Sequence, residues 1–126
     1  MISHFIFYVL DQEASTRFYE RVLLSSPVLN VPGMTEFQLD QGAKLGLMPY
    51  EGISRLLGPH LTSSDQACGN PNSELYLIVD DPFEYHQRSI EHGAKELSPV
   101  QERDWGALVG YSRDIDGHIL AFAKPS

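Results

Sequence analysis

The sequence is short of cysteine, of basic residues and of long apolar runs, and each shortage excludes a class of protein. Its one cysteine, Cys68, cannot form an intramolecular disulfide and has no cysteine partner for a zinc site. This usage fits a reducing cytoplasm, where we expect the protein to reside. We interpret Cys68 as a loop thiol, because no histidine stands beside it to activate a nucleophile.

Basic residues number 9 and acidic residues 17, which gives a formal net charge of -8. This charge repels phosphate backbones and anionic lipid headgroups, so we expect neither nucleic acid nor a membrane as a partner. No apolar run approaches the roughly 20 residues of a transmembrane helix. The chain also has no Gly-rich phosphate loop and no Gly-x-Ser-x-Gly nucleophile elbow.

What the sequence does contain is a pattern that predicts the element order βαβββ twice within 126 residues. In each half an apolar strand precedes an amphipathic helix with apolar residues every three or four positions, and three short strands follow. The first module covers 1–50, with strands at His4–Leu10, Pro27–Val31, Thr35–Asp40 and Lys44–Pro49 and a helix at Gln12–Leu24. The second covers 73–126, with a strand from Glu74, a helix at Phe83–His92, and strands at Glu96–Ser98, Ala107–Arg113 and Ile119–Lys124. Between them we predict a connector, 51–72, with a short helix at Ile53–Leu57.

The two modules align when the sequence is shifted by seventy residues. The segment His4-x6-Asp11 then lies on Glu74-x6-Asp81, and each is followed by a helix. Strand-helix units are common, so a chance match is the alternative.

Two motifs resemble the vicinal oxygen chelate superfamily, which includes glyoxalases, bleomycin resistance proteins and extradiol dioxygenases. His4-x6-Asp11 with Glu13-Ala14-Ser15-x-x-Phe18-Tyr19-Glu20-x-x-Leu23 resembles the opening strand and helix. Asp114-Ile115-Asp116-Gly117-His118 resembles the Asp-Pro-Asp-Gly turn before the last strand, with Ile115 in place of the usual proline. The resemblance covers nearly the whole chain except the connector. It implies a single α+β domain, 1–126, in which two βαβββ modules form a curved mixed sheet around a cleft, usually in a homodimer.

The same resemblance implies where a metal would bind. In metal-using members the ligands come from the first and last strands of each module, and these positions fall on His4, Glu74, Gly46 and Ala121 of this sequence. Gly46 and Ala121 have no ligating side chain, whereas a catalytic divalent site normally needs three protein ligands. We therefore expect no resident cofactor. A divalent metal on His4 and Glu74 is the alternative, with Glu36, Gln38 or Tyr8 completing the ligand set.

Strand alternation predicts which side chains line the implied cleft, since residues two apart share a face. The predicted ligand-binding residues are mainly aromatic and apolar, and Gly46 and Ala121 should leave space among them. They are His4, Ile6, Tyr8, Met48, Glu74, Tyr76, Trp105 and Ala121. The alternative is that these strand residues are ordinary core.

The tryptophan and the remaining histidines are further candidates. Trp105, beside Arg103, is predicted to stack on an aromatic or cationic ligand or else to cover a sheet edge. Surface positions are predicted for the remaining histidines, His60, His86, His92 and His118.

These features favour a small-molecule-binding protein of the bleomycin-resistance kind, which would protect by sequestering an antibiotic or another bulky compound in a dimer cleft without a complete metal site. The long-range field of an acidic protein favours cationic ligands. Whether the protein is an enzyme stays open, and we lean towards none. The alternatives are a metal-dependent lyase or isomerase of glyoxalase type, a dioxygenase, and a non-catalytic partner domain without a ligand.

Overall fold

The computed structural model describes residues 1–61, 71 and 73–126. The chain divides into two compact units, Met1–Ala67 and Cys68–Ser126. Each unit contains one module with the order βαβββ, so the predicted α+β fold class and the internal repeat are both confirmed. The connector prediction falls partly on 62–70 and 72, which lie outside the described residues.

The first module is a four-stranded mixed sheet with the strand order β1-β4-β3-β2. Its elements are β1 (Ser3–Val9), α1 (Gln12–Leu23), β2 (Leu29–Val31), β3 (Met34–Asp40) and β4 (Ala43–Pro49). β1 runs parallel to β4, and the other neighbouring strands are antiparallel. After β4 the chain continues into α2 (Tyr50–Leu57) and a 3-10 turn at Gly58–His60.

The helix of the first module begins at a side-chain cap. Asp11 accepts a hydrogen bond from the backbone N–H of Ala14 at 3.0 Å, which satisfies one of the free donors of the first turn. The helix ends at Leu24, whose φ of 52° is left-handed and whose N–H bonds to the carbonyl of Glu20. Both ends are thus fixed by local chemistry.

Aromatic rings fill the space between α1 and the sheet. Tyr19 is 1% exposed, and its ring centroid lies 6.4 Å from Phe7, 4.9 Å from Phe18 and 6.4 Å from Phe37. Rings at these separations add to the burial energy through edge and offset contacts. This aromatic group is the core of the first module.

The second module repeats the topology with the strand order β5-β8-β7-β6. Its elements are β5 (Glu74–Ile78), α3 (Pro82–Glu91), β6 (Lys95–Arg103), β7 (Ala107–Arg113) and β8 (Ile119–Pro125). β5 runs parallel to β8. Asp81 caps α3 by accepting from the N–H groups of Phe83 and Glu84, so Asp11 and Asp81, aligned by the repeat, have the same role.

Small and polar residues replace the aromatic group in the second module. Ser89 of α3 and Ser112 of β7 are buried and lie 3.0 Å apart at their hydroxyl oxygens. A Cβ on Gly110 would stand 2.8 Å from Nδ1 of His86. The imidazole therefore packs against the sheet in the space that the glycine leaves free. Tyr85 and Phe122 form a ring contact here, with their centroids 5.7 Å apart.

Three elements differ from the sequence prediction by two residues or more at one end, and most of the others differ by one. The strand predicted at Pro27–Val31 is β2, Leu29–Val31, and the short helix predicted at Ile53–Leu57 is α2, Tyr50–Leu57. The strand predicted at Glu96–Ser98 is β6, Lys95–Arg103. It extends because its pairing with β7 continues past two register shifts around Ser98, which no period-two pattern reveals.

None of the helices in the described part of the chain has the length and apolar content needed to cross a bilayer.

Candidate functional site

Each sheet has one face towards the helix of its own module and one face away from it, here called the distal face. In the first module, β1 pairs with β4 so that Ile6 lies opposite Gly46 and Tyr8 opposite Met48. Phe7, between them, contacts Tyr19 on α1. The predicted ligand-binding residues Ile6, Tyr8 and Met48 therefore share the first distal face with His4.

Glu36 is the centre of a polar cluster on the first distal face. Its Oε2 lies 3.3 Å from Nδ1 of His4, and its Oε1 lies 3.6 Å from the ammonium Nζ of Lys44. The Glu36 side chain is only 14% exposed. His4 thus has a carboxylate partner within its own module.

The space expected beside Gly46 is already filled. A Cβ at this position would lie 3.2 Å from Cγ1 of Ile6 and 3.3 Å from Sδ of Met34. The expectation of an open space was wrong here, because two long apolar side chains from the neighbouring strands lean over the glycine.

An exposed pair of aromatic residues dominates the second distal face. Trp105, in the turn between β6 and β7, donates its indole N–H to the hydroxyl of Tyr76 on β5 at 3.2 Å. Trp105 is 59% exposed and Tyr76 is 37% exposed. Because β5 and β6 are the two edge strands of this sheet, the bond links its two edges across one face.

Beneath this pair the second distal face is made of small apolar residues. Ala121 pairs with Tyr76 on one side and with Tyr111 on the other. Ala121 is 0% exposed and belongs to a buried cluster consisting of Ala107, Val109, Ala121 and Ala123. Ala121 stays a predicted binding residue, but the free space expected beside it was wrong, since it is fully buried in this conformation.

Tyr111 lies among charged groups of the same face. Burial raises the pKa of the Tyr111 phenol above its ordinary value, the negative charge of Glu74 raises it further, and the Arg103 guanidinium opposes this. The Arg103 guanidinium carbon stands 5.2 Å from the centre of the Tyr111 ring. Tyr111 is therefore a neutral phenol at physiological pH, able to donate a hydrogen bond.

Arg103 itself is held by backbone and hydroxyl acceptors. Its Nη2 donates to the carbonyls of Val109 and Pro99 and to the hydroxyl of Ser98, each at 2.9 Å. The sequence pattern placed Arg103 in a loop, whereas it is the last residue of β6.

The donor set does not fit a complete divalent metal site. Across 1–61, 71 and 73–126, no three His, Cys, Asp or Glu side chains are grouped so that they could hold an ion. The carboxylate nearest His4 already has an ammonium group on its other oxygen. A catalytic metal normally needs three protein ligands, and each distal face offers fewer.

His86 is the residue that sequence reasoning placed wrongly. It was expected on the polar surface of its helix, but it is 5% exposed. Its Nε2 lies 2.8 Å from Oε2 of Glu96. Since helical periodicity alone left His86 on the polar side, only the absence of a side chain at Gly110 could have signalled the buried position.

Comparison with known proteins identifies the family. The family model described as Glyoxalase/Bleomycin resistance protein/Dioxygenase superfamily matches residues 1–122. The chain belongs to this superfamily. No curated protein matches the sequence at a significant level.

Solved structures of superfamily members share the fold. A glyoxalase-related enzyme from Fulvimarina pelagi superposes with a TM-score of 0.84 at 24% identity, over 98% of this chain and 87% of that chain. A family enzyme from Burkholderia phytofirmans gives 0.81 at 15% identity, over 98% of both chains. A third, from Nocardioides, gives 0.72 at 21% identity, over 99% of this chain and 83% of that chain. At such identities the likeness establishes the superfamily fold alone.

Proposed function

We propose that this superfamily member binds a bulky small molecule on its second distal face without a complete metal site. The observation that supports the proposal is the Tyr76 and Trp105 pair, two hydrogen-bonded and exposed aromatic side chains above a floor of small apolar residues. Exposed aromatic side chains with a few fixed polar groups are typical of ligand sites. Sequestration of an antibiotic or a related toxic compound is the function that this arrangement supports best.

The proposal includes a homodimer in the cytoplasm, with the ligand in a cleft formed by two copies of the chain. Exposed apolar side chains near the site support this assembly, since Ile78 on the same face of β5 is 70% exposed. Analytical ultracentrifugation with and without ligand measures whether the chain forms this dimer.

Trp105 is the only tryptophan in the chain, so its fluorescence reports on this face directly. Titration with glycopeptide, quinone and peptide antibiotics should change the emission for at least one class. Tyr76→Ala should weaken that binding about tenfold, because an aromatic contact contributes about 0.5–1.5 kcal/mol beyond its buried area.

Phe83→Ala is the matched control, since Phe83 is an exposed aromatic residue of the same module that lies on α3. It should leave the affinity unchanged. Equal losses in both variants, or no response to any compound, would argue against the proposed site.

A second candidate function is a metal-dependent lyase, isomerase or dioxygenase. The observation that favours it is the contact of His4 and Glu36, two metal-ligand residue types on one face. Elemental analysis of protein purified without chelator tests it. Stoichiometric metal that disappears in His4→Ala would replace the first proposal with this one.

A further inference from the structure

The carboxylate of Glu74 is the unbalanced charge on the second distal face. Glu74 is exposed, and none of the ion pairs found within 1–61, 71 and 73–126 includes it. The remaining positions, 62–70 and 72, contain no lysine, arginine or histidine, so the chain supplies no cation for it there. This differs from Glu36, which pairs with the ammonium group of Lys44 and lies beside the imidazole of His4.

Aromatic faces lie next to this carboxylate. Tyr76 is two residues along β5 on the same face, which puts its Cα about 6.6 Å from that of Glu74. The Tyr76 oxygen accepts from Trp105, and this bond fixes both rings in place. A cation near these rings gains attraction from the π-electrons in addition to the charge of Glu74.

Arg103, whose charge acts on Tyr111 from this face, is committed elsewhere. Arg103 directs Nε and Nη2 at carbonyl and hydroxyl oxygens and stacks on Tyr111. An incoming anion would have to compete with these acceptors and would meet Glu74 beside Tyr111. Arg103 is therefore poorly placed to bind an anionic ligand.

We propose that the ligand is an organic cation, a planar ring system carrying a protonated amine, with the amine at Glu74 and the ring against Tyr76 and Trp105. This inference rests on the proposed function and specifies its ligand class. Glu74 is then the residue that determines specificity, while the aromatic pair supplies affinity for the ring.

Three probes with one ring system and different charges test the inference: 1-naphthylmethylamine, 1-naphthylmethanol and 1-naphthoate. Binding is followed by NMR on the indole N–H of Trp105, which gives the only such signal in the chain, and by calorimetry. The amine should bind about tenfold more tightly than the alcohol, as expected for one charge pair combined with a cation-π contact. The naphthoate should bind most weakly.

The decisive variant is Glu74→Gln, which removes the charge and keeps the shape. It should reduce the preference for the amine over the alcohol to less than about threefold, with the affinity for the alcohol unchanged. Glu84→Gln is the matched control, because Glu84 is an exposed glutamate on α3 of the same module and the variant changes the net charge equally. It should keep the full preference.

The outcomes separate the two proposals. If no probe shifts the indole signal, the proposed binding face is wrong. If the amine and the alcohol bind equally, or the naphthoate binds best, the face binds ligands but the cation inference is overturned. Loss of the preference in both glutamate variants would also overturn it, because net charge rather than Glu74 would then set the selectivity.

Discussion

The two modules share one topology and differ in what lies between helix and sheet. Around Tyr19 the first module packs aromatic rings, with polar contacts such as the bond of Thr16 to Thr35 at the helix start. The second module packs two serines, a glycine and a buried imidazole beside the ring contact of Tyr85 with Phe122. The order of elements is therefore compatible with either a large-residue or a small-residue interface, and the choice of residues decides how each module resists substitution.

The distal faces differ as well. The first has a glutamate paired with a lysine and a histidine, and the second has an aromatic pair beside a glutamate that forms no ion pair with the described residues. A repeated scaffold thus presents one neutralised surface and one surface suited to recognition. The following substitutions test the comparison of the modules.

The largest effect is expected from Tyr19→Ala. Tyr19 is almost fully buried among three rings, so its truncation should cost about 3–5 kcal/mol of unfolding free energy. Tyr85→Ala, which removes the ring contact of the second module with Phe122, should cost about 1–2 kcal/mol because Tyr85 is only half-buried. Urea unfolding of both variants measures this, and equal costs would contradict the idea that only the first module depends on aromatic packing.

A smaller effect on stability is expected from Gly110→Ala. Here the second module should be the more sensitive of the two. The new methyl would stand 2.5 Å from Cγ2 of Val100 and 2.8 Å from Nδ1 of His86. Overpacking of this kind costs about 1–3 kcal/mol. Gly46→Ala should cost less, since its nearest neighbours are 3.2 and 3.3 Å away at movable side-chain atoms.

Thermal unfolding compares the two glycine variants. Adding His86→Ala to Gly110→Ala should recover part of the lost stability if the overpacking comes from the contact of the new methyl group with the imidazole. A larger cost for Gly46→Ala would show that the first module is the more tightly packed one.

The smallest effect is expected at high pH. The raised pKa of Tyr111 means that the folded state holds its phenolic proton more strongly than the unfolded state. This contribution is complete below the ordinary tyrosine pKa of about 10 and is lost as pH rises through the folded-state value. Ultraviolet titration should show a component that ionises above the ordinary tyrosine pKa and belongs to Tyr111.

Tyr111→Phe should remove that late titration, and Glu74→Gln should move it to lower pH, because the negative charge of Glu74 is one of its causes. An unchanged titration in Tyr111→Phe would assign the late tyrosine to another position.

Much of the fold could be predicted from the sequence because its signals are local. Helical periodicity and the side chains of Asp11 and Asp81 place α1 and α3, and both caps form as aspartate at a helix start predicts. The strand β6 was underestimated because its length depends on pairing with β7 rather than on its own residues.

The candidate site was less predictable. Alternation correctly grouped His4, Ile6 and Tyr8 on one face, but it could not find the ion pair of His4 with Glu36, thirty-two positions away in sequence. It also could not show that Ile6 and Met34 close the space at Gly46. These are distances between side chains of different strands, and no local pattern contains them.

By itself, the sequence determined the element order, the internal repeat, the superfamily and which side chains share a face, because backbone preferences and periodicity act over a few neighbouring residues. The tertiary structure decided that Glu36 pairs with Lys44 and His4, while Glu74 forms no ion pair in the part of the chain that the structure describes. It also decided that Trp105 reaches Tyr76 and that His86 is buried. Those outcomes depend on strand register and on the volume left by glycines at contacts distant in sequence, which exist only once the sheets have formed.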